Sequence, residues 1–149
     1  MTSDTAPAAP FSAPLDRIVM VANRAEIARR IFRTVRDLGG HTLGVYTDED
    51  RGSLHIAEAD EVVRLDRRGD LDPYLDIEQL VAIALDHGVW GIHPGYGYLS
   101  ENAEFAAAVE AAGLAFIGPR PDQIAMFGDK QAARSRAIAA GVPTAPATP

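Results

Sequence analysis

The 149-residue chain has no cysteine, which excludes disulfides, thiolate metal sites and cysteine nucleophiles. Positive charge is scarce: 14 Lys and Arg stand against 21 Asp and Glu, a net charge of -7. Broad binding to nucleic acid or to an anionic membrane needs a basic surface, so neither is expected. No apolar run approaches the roughly 18 residues of a membrane span. The first residues, MTSDTAPAAPFSAPLD, lack the basic start and apolar core of a secretory signal. These absences make the cytoplasm the expected compartment. The common nucleotide and hydrolase motifs are missing too. The turn after the first apolar run is ANRAEIARR, which has no glycine, so it is not the G-x-G-x-x-G of a dinucleotide fold. There is no G-x-x-x-x-G-K-[ST] and no G-x-S-x-G. The four histidines, His41, His55, His87 and His93, are not spaced as metal ligands and read as structural or solvated residues. No metal site is expected within the chain.

What remains is the composition of a soluble globular protein, 47% hydrophobic and 23% charged. The length suits one domain that hides about 70% of its unfolded surface. Residues 1–16, rich in Ala, Pro, Ser and Thr, have little to bury and are predicted to be a disordered leader. The far end, GVPTAPATP, holds three prolines in nine residues and reads as extended. The chain therefore divides into a leader (1–16), a folded domain (17–141) and a linker (142–149) from which further polypeptide is expected to continue.

Within the domain, short β-branched runs alternate with helix-period segments. RIVMVA (Arg17 to Ala22), HTLGVY (His41 to Tyr46), EVVRL (Glu61 to Leu65), VWGIH (Val89 to His93) and LAFIG (Leu114 to Gly118) read as strands. Asn23 is placed as the cap of a first helix with Ile27, Ile31, Val35 and Leu38 on one face. Asp76 caps a second, Asn102 opens a third, and a last helix runs from about Asp129 to Ala140. Helices stop at Gly39-Gly40, Gly88, Gly113 and Gly141. Strand and helix in alternation predict an α/β fold, a Rossmann-like parallel sheet flanked by helices.

The stretch HPGYGYLSEN (residues 93–102) leaves the fourth strand at its carboxyl end, the edge where open parallel sheets bind ligands. Pro94 fixes one dihedral, while Gly95 and Gly97 permit positive φ and close backbone approach. Tyr96 between them can face outward as a flat aromatic wall. Spacing alone equally allows a tight strand-to-helix turn with ordinary tyrosines.

VANRAEIARRIFRT, YLDIEQL, GIHPGYGYLSEN, FIGPRPDQI, MFGDKQAAR and AGVPTAP follow one another along the chain. Together they resemble the N-terminal, pre-ATP-grasp domain of biotin carboxylase, the component shared by acetyl-CoA, propionyl-CoA, pyruvate and urea carboxylases. RIFRT and GVPTAPATP lean toward the pyruvate carboxylase branch. The resemblance implies an ATP-dependent ligase that uses bicarbonate and Mg2+ to carboxylate biotin held on a carrier protein. It implies that Lys130, in GDK, contacts ATP, as a point charge on the phosphates. It sets Tyr96 and Gly97 near biotin, with Glu101 as a supporting hydrogen-bond partner. Arg30, Arg33 and Asp37 match positions of a dimer interface, although Arg29, Arg30, Arg33 and Arg36 also read as a solvated helix face.

The family's metal-binding acids, bicarbonate-binding residues and catalytic arginine lie after GVPTAP. No catalytic residue is therefore expected within this chain, and alone it is expected to be inactive. The implied partners are the ATP-grasp remainder, a biotin carboxyl carrier protein, a carboxyltransferase and a second copy. Two other readings stay open: a regulatory domain that binds an intact carboxylase, and the N-terminal domain of another ATP-grasp ligase. Three positions depart from the family pattern. Ala25 replaces a glycine, which is harmless unless that position needs positive φ. Tyr98 replaces a phenylalanine and brings a hydroxyl that needs a partner if buried, and Ala147 replaces a glycine.

Overall fold

In the computed structural model, which describes residues 15–145, the apolar runs form one five-stranded, all-parallel sheet. The strands are β1 (Ile18–Val21), β2 (His41–Tyr46), β3 (Glu61–Arg64), β4 (Gly91–His93) and β5 (Ala115–Phe116), in the order β3-β2-β1-β4-β5. Six helices accompany them: α1 (Ala25–Asp37), α2 (Leu54–Glu58), α3 (Ile77–Asp86), α4 (Ala103–Ala111), α5 (Pro121–Gly128) and α6 (Lys130–Ala139). The fold is α/β and Rossmann-like. Most of the leader and the end of the linker, with Ala147, lie outside the described residues.

Alternation along β1 gives each sheet face its own core, because successive side chains point to opposite sides. Met20 and Ala22 join Leu43, Val45 and Ile92 in a cluster closed by Leu80 of α3 and Phe105 and Val109 of α4. Val19 and Val21 point the other way, onto Ala28, Ile31, Phe32 and Val35 of α1. Fully burying a side chain of this size contributes roughly 1.5–3 kcal/mol. Leu15, assigned to the leader in the sequence, packs against the second cluster and donates its N–H to the Leu38 carbonyl at 2.8 Å.

The strand order reverses at β1. From there the chain winds one way to β2 and β3, and later the other way from β4 to β5. The carboxyl ends of β1 and β4 lie side by side, with Val21 opposite His93. That pair marks the topological switch point, where the connections diverge and leave a crevice.

Asp76 and Asn102 cap their helices as expected, accepting from Gln79 N–H at 3.0 Å and Phe105 N–H at 2.8 Å. Asn23 does not cap α1. The cap position is Arg24, and the Asn23 side chain turns toward the loop after β4. Helices α2 and α5 had no counterpart in the sequence reading. The first has five residues, too few for a period to show, and the second is a short helix started by Pro121 and ended by Gly128.

Ala25 has φ 53°, so the glycine-like conformation is required at the start of α1 and is occupied here by an alanine. A left-handed non-glycine residue costs roughly 1–2 kcal/mol. Ala25→Gly should therefore raise unfolding free energy by about 1 kcal/mol, after the entropy glycine adds to the unfolded state. Urea denaturation of the two chains checks the sign; a destabilised A25G would show that the backbone relaxes at no cost.

Candidate functional site

One side chain fixes the geometry at the switch point. Asn23 follows β1 directly and is only 3% exposed. Its Nδ2 donates to the Pro94 and Tyr96 carbonyls, both at 2.8 Å, while its Oδ1 accepts from the Arg24 N–H at 2.9 Å. The loop 94–102 is thus stapled to the end of β1 through two alternate backbone carbonyls. Leu99, 4% exposed, anchors its far half in the core.

The staple explains the glycine between the two carbonyls. Gly95 has φ 68°, and a Cβ there would lie 2.6 Å from Asn23 Nδ2. Gly97 has φ 67°, but a Cβ there would meet nothing within 4 Å. Its backbone is open to approach from outside. Tyr96 between them is 60% exposed, and its ring stands clear of the core. His93 supports the same turn: its Nδ1 accepts from the Gly95 N–H at 3.0 Å, and burial pushes its pKa down, so the ring is neutral at pH 7.

A second network lies beside the first. Asp50 is 5% exposed, and its Oδ2 accepts from the Thr47 N–H (2.9 Å), the Thr47 hydroxyl (2.8 Å) and the Tyr74 hydroxyl (2.8 Å). Its Oδ1 accepts from Arg24 Nη1 at 2.6 Å. Burial pushes the Asp50 carboxyl up, but these donors outweigh it and hold the group below the ordinary range. Burial pushes the Tyr74 hydroxyl up, and the Asp50 carboxylate adds to that shift. The Tyr98 ring stacks on Tyr74, with centroids 4.9 Å apart and planes 30° from parallel. Burial also raises the Tyr98 hydroxyl, and the nearby Arg24 guanidinium opposes this.

Glu101 and Lys130 come together. Both line a cleft of about 350 Å³ whose other walls include Ser100, Pro119, Ile124 and Phe127. Lys130 is exposed at the first position of α6, where the Asp129 side chain accepts from the Gln131 and Ala132 N–H groups at 2.8 and 3.0 Å. Tyr96 and Gly97 precede Glu101 in the same loop but do not line this cleft. The cleft thus joins apolar walls to one cation and one carboxylate, Lys130 and Glu101. Among the described residues no three acids or histidines gather to hold a metal.

Arg30, Arg33 and Asp37 lie elsewhere, exposed along α1. The helix's arginines divide by direction. Arg29 pairs with Glu58 at 2.6 Å and Arg36 donates to the Glu58 carbonyl, which ties α1 to α2. Arg30 and Arg33 make no side-chain hydrogen bond or ion pair among the described residues. His55 is buried against Ser53 and the Val45 carbonyl, and His87 sits on the surface beside Glu61.

The Asn23 staple and the Asp50 network were missed in the sequence. Asn23 is visible there as a polar residue directly after a buried strand, but its partner lies 71 residues away. Nothing local distinguishes Asp50 from the acids around it in TDED.

Residues 16–124 match the family described as "Biotin carboxylase, N-terminal domain". Pyruvate carboxylase of Aspergillus niger is 52% identical over 134 residues, covering 88% of this chain and 11% of that protein. The pyruvate carboxylase of Schizosaccharomyces pombe is 50% identical over 134 residues, with the same shares of 88% and 11%. The chain therefore spans about a ninth of the length of these relatives. Among solved structures, the biotin carboxylase domain of a single-chain bacterial carboxylase has a TM-score of 0.82 and 49% identity, over 89% of this chain and 31% of that one. A complete pyruvate carboxylase from Rhizobium etli has a TM-score of 0.81 and 40% identity, over 91% of this chain and 13% of that one.

Two outcomes follow from the geometry. Gly95→Ala combines positive-φ strain with a collision against Asn23 and should destabilise the chain by about 3 kcal/mol or more, whereas Gly97→Ala carries strain alone and should cost about 1–2 kcal/mol. Equal losses in thermal melts would show that Asn23 yields freely. Because the Asp50 carboxyl is depressed in the folded state, its contribution is present above the unfolded value of about 4 and is lost as pH falls through the lower folded value. Asp50→Asn should therefore lower stability at pH 7 and flatten the loss below about pH 4; parallel curves for the two proteins would contradict the assignment.

Proposed function

Because the chain belongs to the family of biotin carboxylase N-terminal domains, we propose that it builds one wall of a site in which biotin is carboxylated with bicarbonate and ATP, and that further polypeptide closes the site. The observation that carries this reading is the cleft shared by Glu101 and Lys130, which opens beside the stapled Gly-Tyr-Gly loop at the carboxyl edge of the sheet.

Each residue's task follows from its chemistry. Lys130 is an exposed ammonium on a flexible stem and meets ATP phosphate oxygens as a point charge. Tyr96 offers its ring face to the ureido ring of biotin, and the bare backbone at Gly97 lets that ring come close. Glu101 accepts a hydrogen bond at the mouth of the cleft and steadies the loop's approach to Lys130. Magnesium, when bound, neutralises charge on the phosphates, and its ligands belong to the remainder of the enzyme. A lysine and a loop cannot by themselves align γ-phosphate, bicarbonate and metal, so the isolated chain does not turn over.

The same reading makes the ATP-grasp remainder, a biotin carboxyl carrier protein and a carboxyltransferase the working partners, with the cytoplasm as the setting. The Arg30, Arg33 and Asp37 stripe is the proposed face for a second copy; its two arginines are not consumed by the α1–α2 contact.

A chimera tests the reading. The matching segment of the Aspergillus niger pyruvate carboxylase is replaced by residues 16–124 of this chain, extended through Gly141, and ATP-dependent carboxylation of free biotin is measured. The chimera should be active, and Lys130→Gln should lower its kcat/KM for ATP roughly 10- to 100-fold, the scale of a lost charge-assisted hydrogen bond. An inactive but folded chimera, or a bicarbonate-dependent ATPase rate from the 149-residue chain alone, would overturn the assignment.

A further inference from the structure

Asn23 and His93 grip the same stretch of backbone from two neighbouring strand ends. Asn23 Nδ2 donates to the Pro94 and Tyr96 carbonyls, both at 2.8 Å, and His93 Nδ1 accepts from the Gly95 N–H at 3.0 Å. The Pro94 carbonyl and the Gly95 N–H belong to one peptide unit, so that unit is held at both of its polar ends. Both side chains are withdrawn from water, Asn23 almost fully and His93 in part. A neutral imidazole that accepts at Nδ1 carries its proton on Nε2, so the contact also sets the tautomer of His93. The segment they hold cannot set its own direction. Gly95 and Gly97 lack the Cβ that restricts other residues, and Tyr96 between them, 60% exposed, takes no support from the core. Rotation of one glycine peptide plane would redirect both the Tyr96 ring and the bare Gly97 backbone.

The two side chains could merely satisfy buried backbone groups and tie the strand ends together. The strand ends have a tie of their own, however. The Ala22 N–H donates to the His93 carbonyl at 3.0 Å, which continues the β1–β4 ladder past Val21. Met20 and Ile92 are buried in one core and Val21 in the other. Pairing of β1 with β4 therefore does not need the clamp, which acts on the loop beyond them. Further along, the loop closes by contacts of its own: Ser100 N–H donates to the Gly97 carbonyl at 2.9 Å, Asn102 N–H donates to the Leu99 carbonyl at 3.1 Å, and Leu99 enters the core. Between clamp and closure stands Tyr98, at φ 41°. A non-glycine residue stays in the left-handed region only where surrounding contacts over-determine the backbone. We propose that Asn23 and His93 are positioning residues for the Gly-Tyr-Gly loop: by locking the Pro94–Gly95 peptide they set the direction in which Tyr96 and Gly97 face the biotin site. The inference rests on the proposed biotin-carboxylating role only for what the loop is positioned to do.

Amide hydrogen exchange of the 149-residue chain tests the clamp without any activity. The amides to follow are the hydrogen-bonded ones of the loop, Gly95, Ser100 and Asn102, against those of β1. His93→Leu removes the acceptor and should lower the protection of Gly95 roughly three- to tenfold, the scale of one lost hydrogen bond. His93→Asn, whose side-chain oxygen stands near the place of Nδ1, should restore most of it. Asn23→Ala removes two bonds and should lower protection at all three loop amides roughly ten- to a hundredfold. The β1 amides should keep their protection in every variant. Unchanged loop exchange in His93→Leu and Asn23→Ala, equal acceleration in the loop and in β1, or no difference between His93→Leu and His93→Asn would overturn the proposal. A failure of Asn23→Ala to fold would make that amide structural and count against its half of the clamp, and the two His93 variants would decide the other half. In the chimera, His93→Leu should raise KM for biotin severalfold at unchanged KM for ATP, and His93→Asn should recover it. A loss confined to kcat, or equal changes in both KM values, also counts against the proposal. If the chimera carboxylates nothing, the catalytic reading fails, and the exchange measurement still decides the role of the clamp.

Discussion

The Asn23 amide is the constraint on which the rest of this edge depends. Parallel strands β1 and β4 are neighbours in register, so the residues just past their ends face each other across the switch point. A backbone carbonyl turned away from the sheet there needs a donor, and one side-chain NH2 supplies both Pro94 and Tyr96. The price of that economy is the absence of a side chain at Gly95, whose place the Asn23 amide occupies. Everything outside the staple then follows in order: Tyr96 projects into solvent, Gly97 leaves its backbone bare, and Leu99 returns the chain to the core.

Charge at this edge is organised by burial rather than by number. Although the chain is acidic overall, its most deeply held carboxylate, Asp50, is surrounded by donors that keep it ionised. Arg24 is one of them, and it links the turn carrying Asn23 to the tyrosine pair Tyr74 and Tyr98. Along α1 the arginines divide. Arg29 and Arg36 lock α2 in place, whereas Arg30 and Arg33 remain at the surface. Two arginines of one helix are thus engaged with α2, while the other two make no side-chain hydrogen bond or ion pair among the described residues.

Family membership and fold agree on the frame, and the chain covers only a short share of each relative. It carries one cation and one carboxylate in a shared cleft, an aromatic ring beside a bare backbone, and no metal cage among the described residues.

Strand identity and helix alternation were legible in the sequence because β-branched runs and 3.6-residue periods are local signals, and the caps at Asp76 and Asn102 act within three residues. HPGYGYLSEN was legible as a glycine-rich turn at the carboxyl end of a strand because its glycines, proline and position after a strand are all read along the chain. The tertiary structure alone decided what each glycine is for, that Ala25 sits where a glycine conformation is needed, and that Asn23 staples rather than caps. It also decided that Asp50, Tyr74, Tyr98 and Arg24 meet. Those facts depend on contacts between residues 24 to 73 positions apart, which periodicity and propensity do not encode and which exist only once parallel crossovers bring the strand ends together.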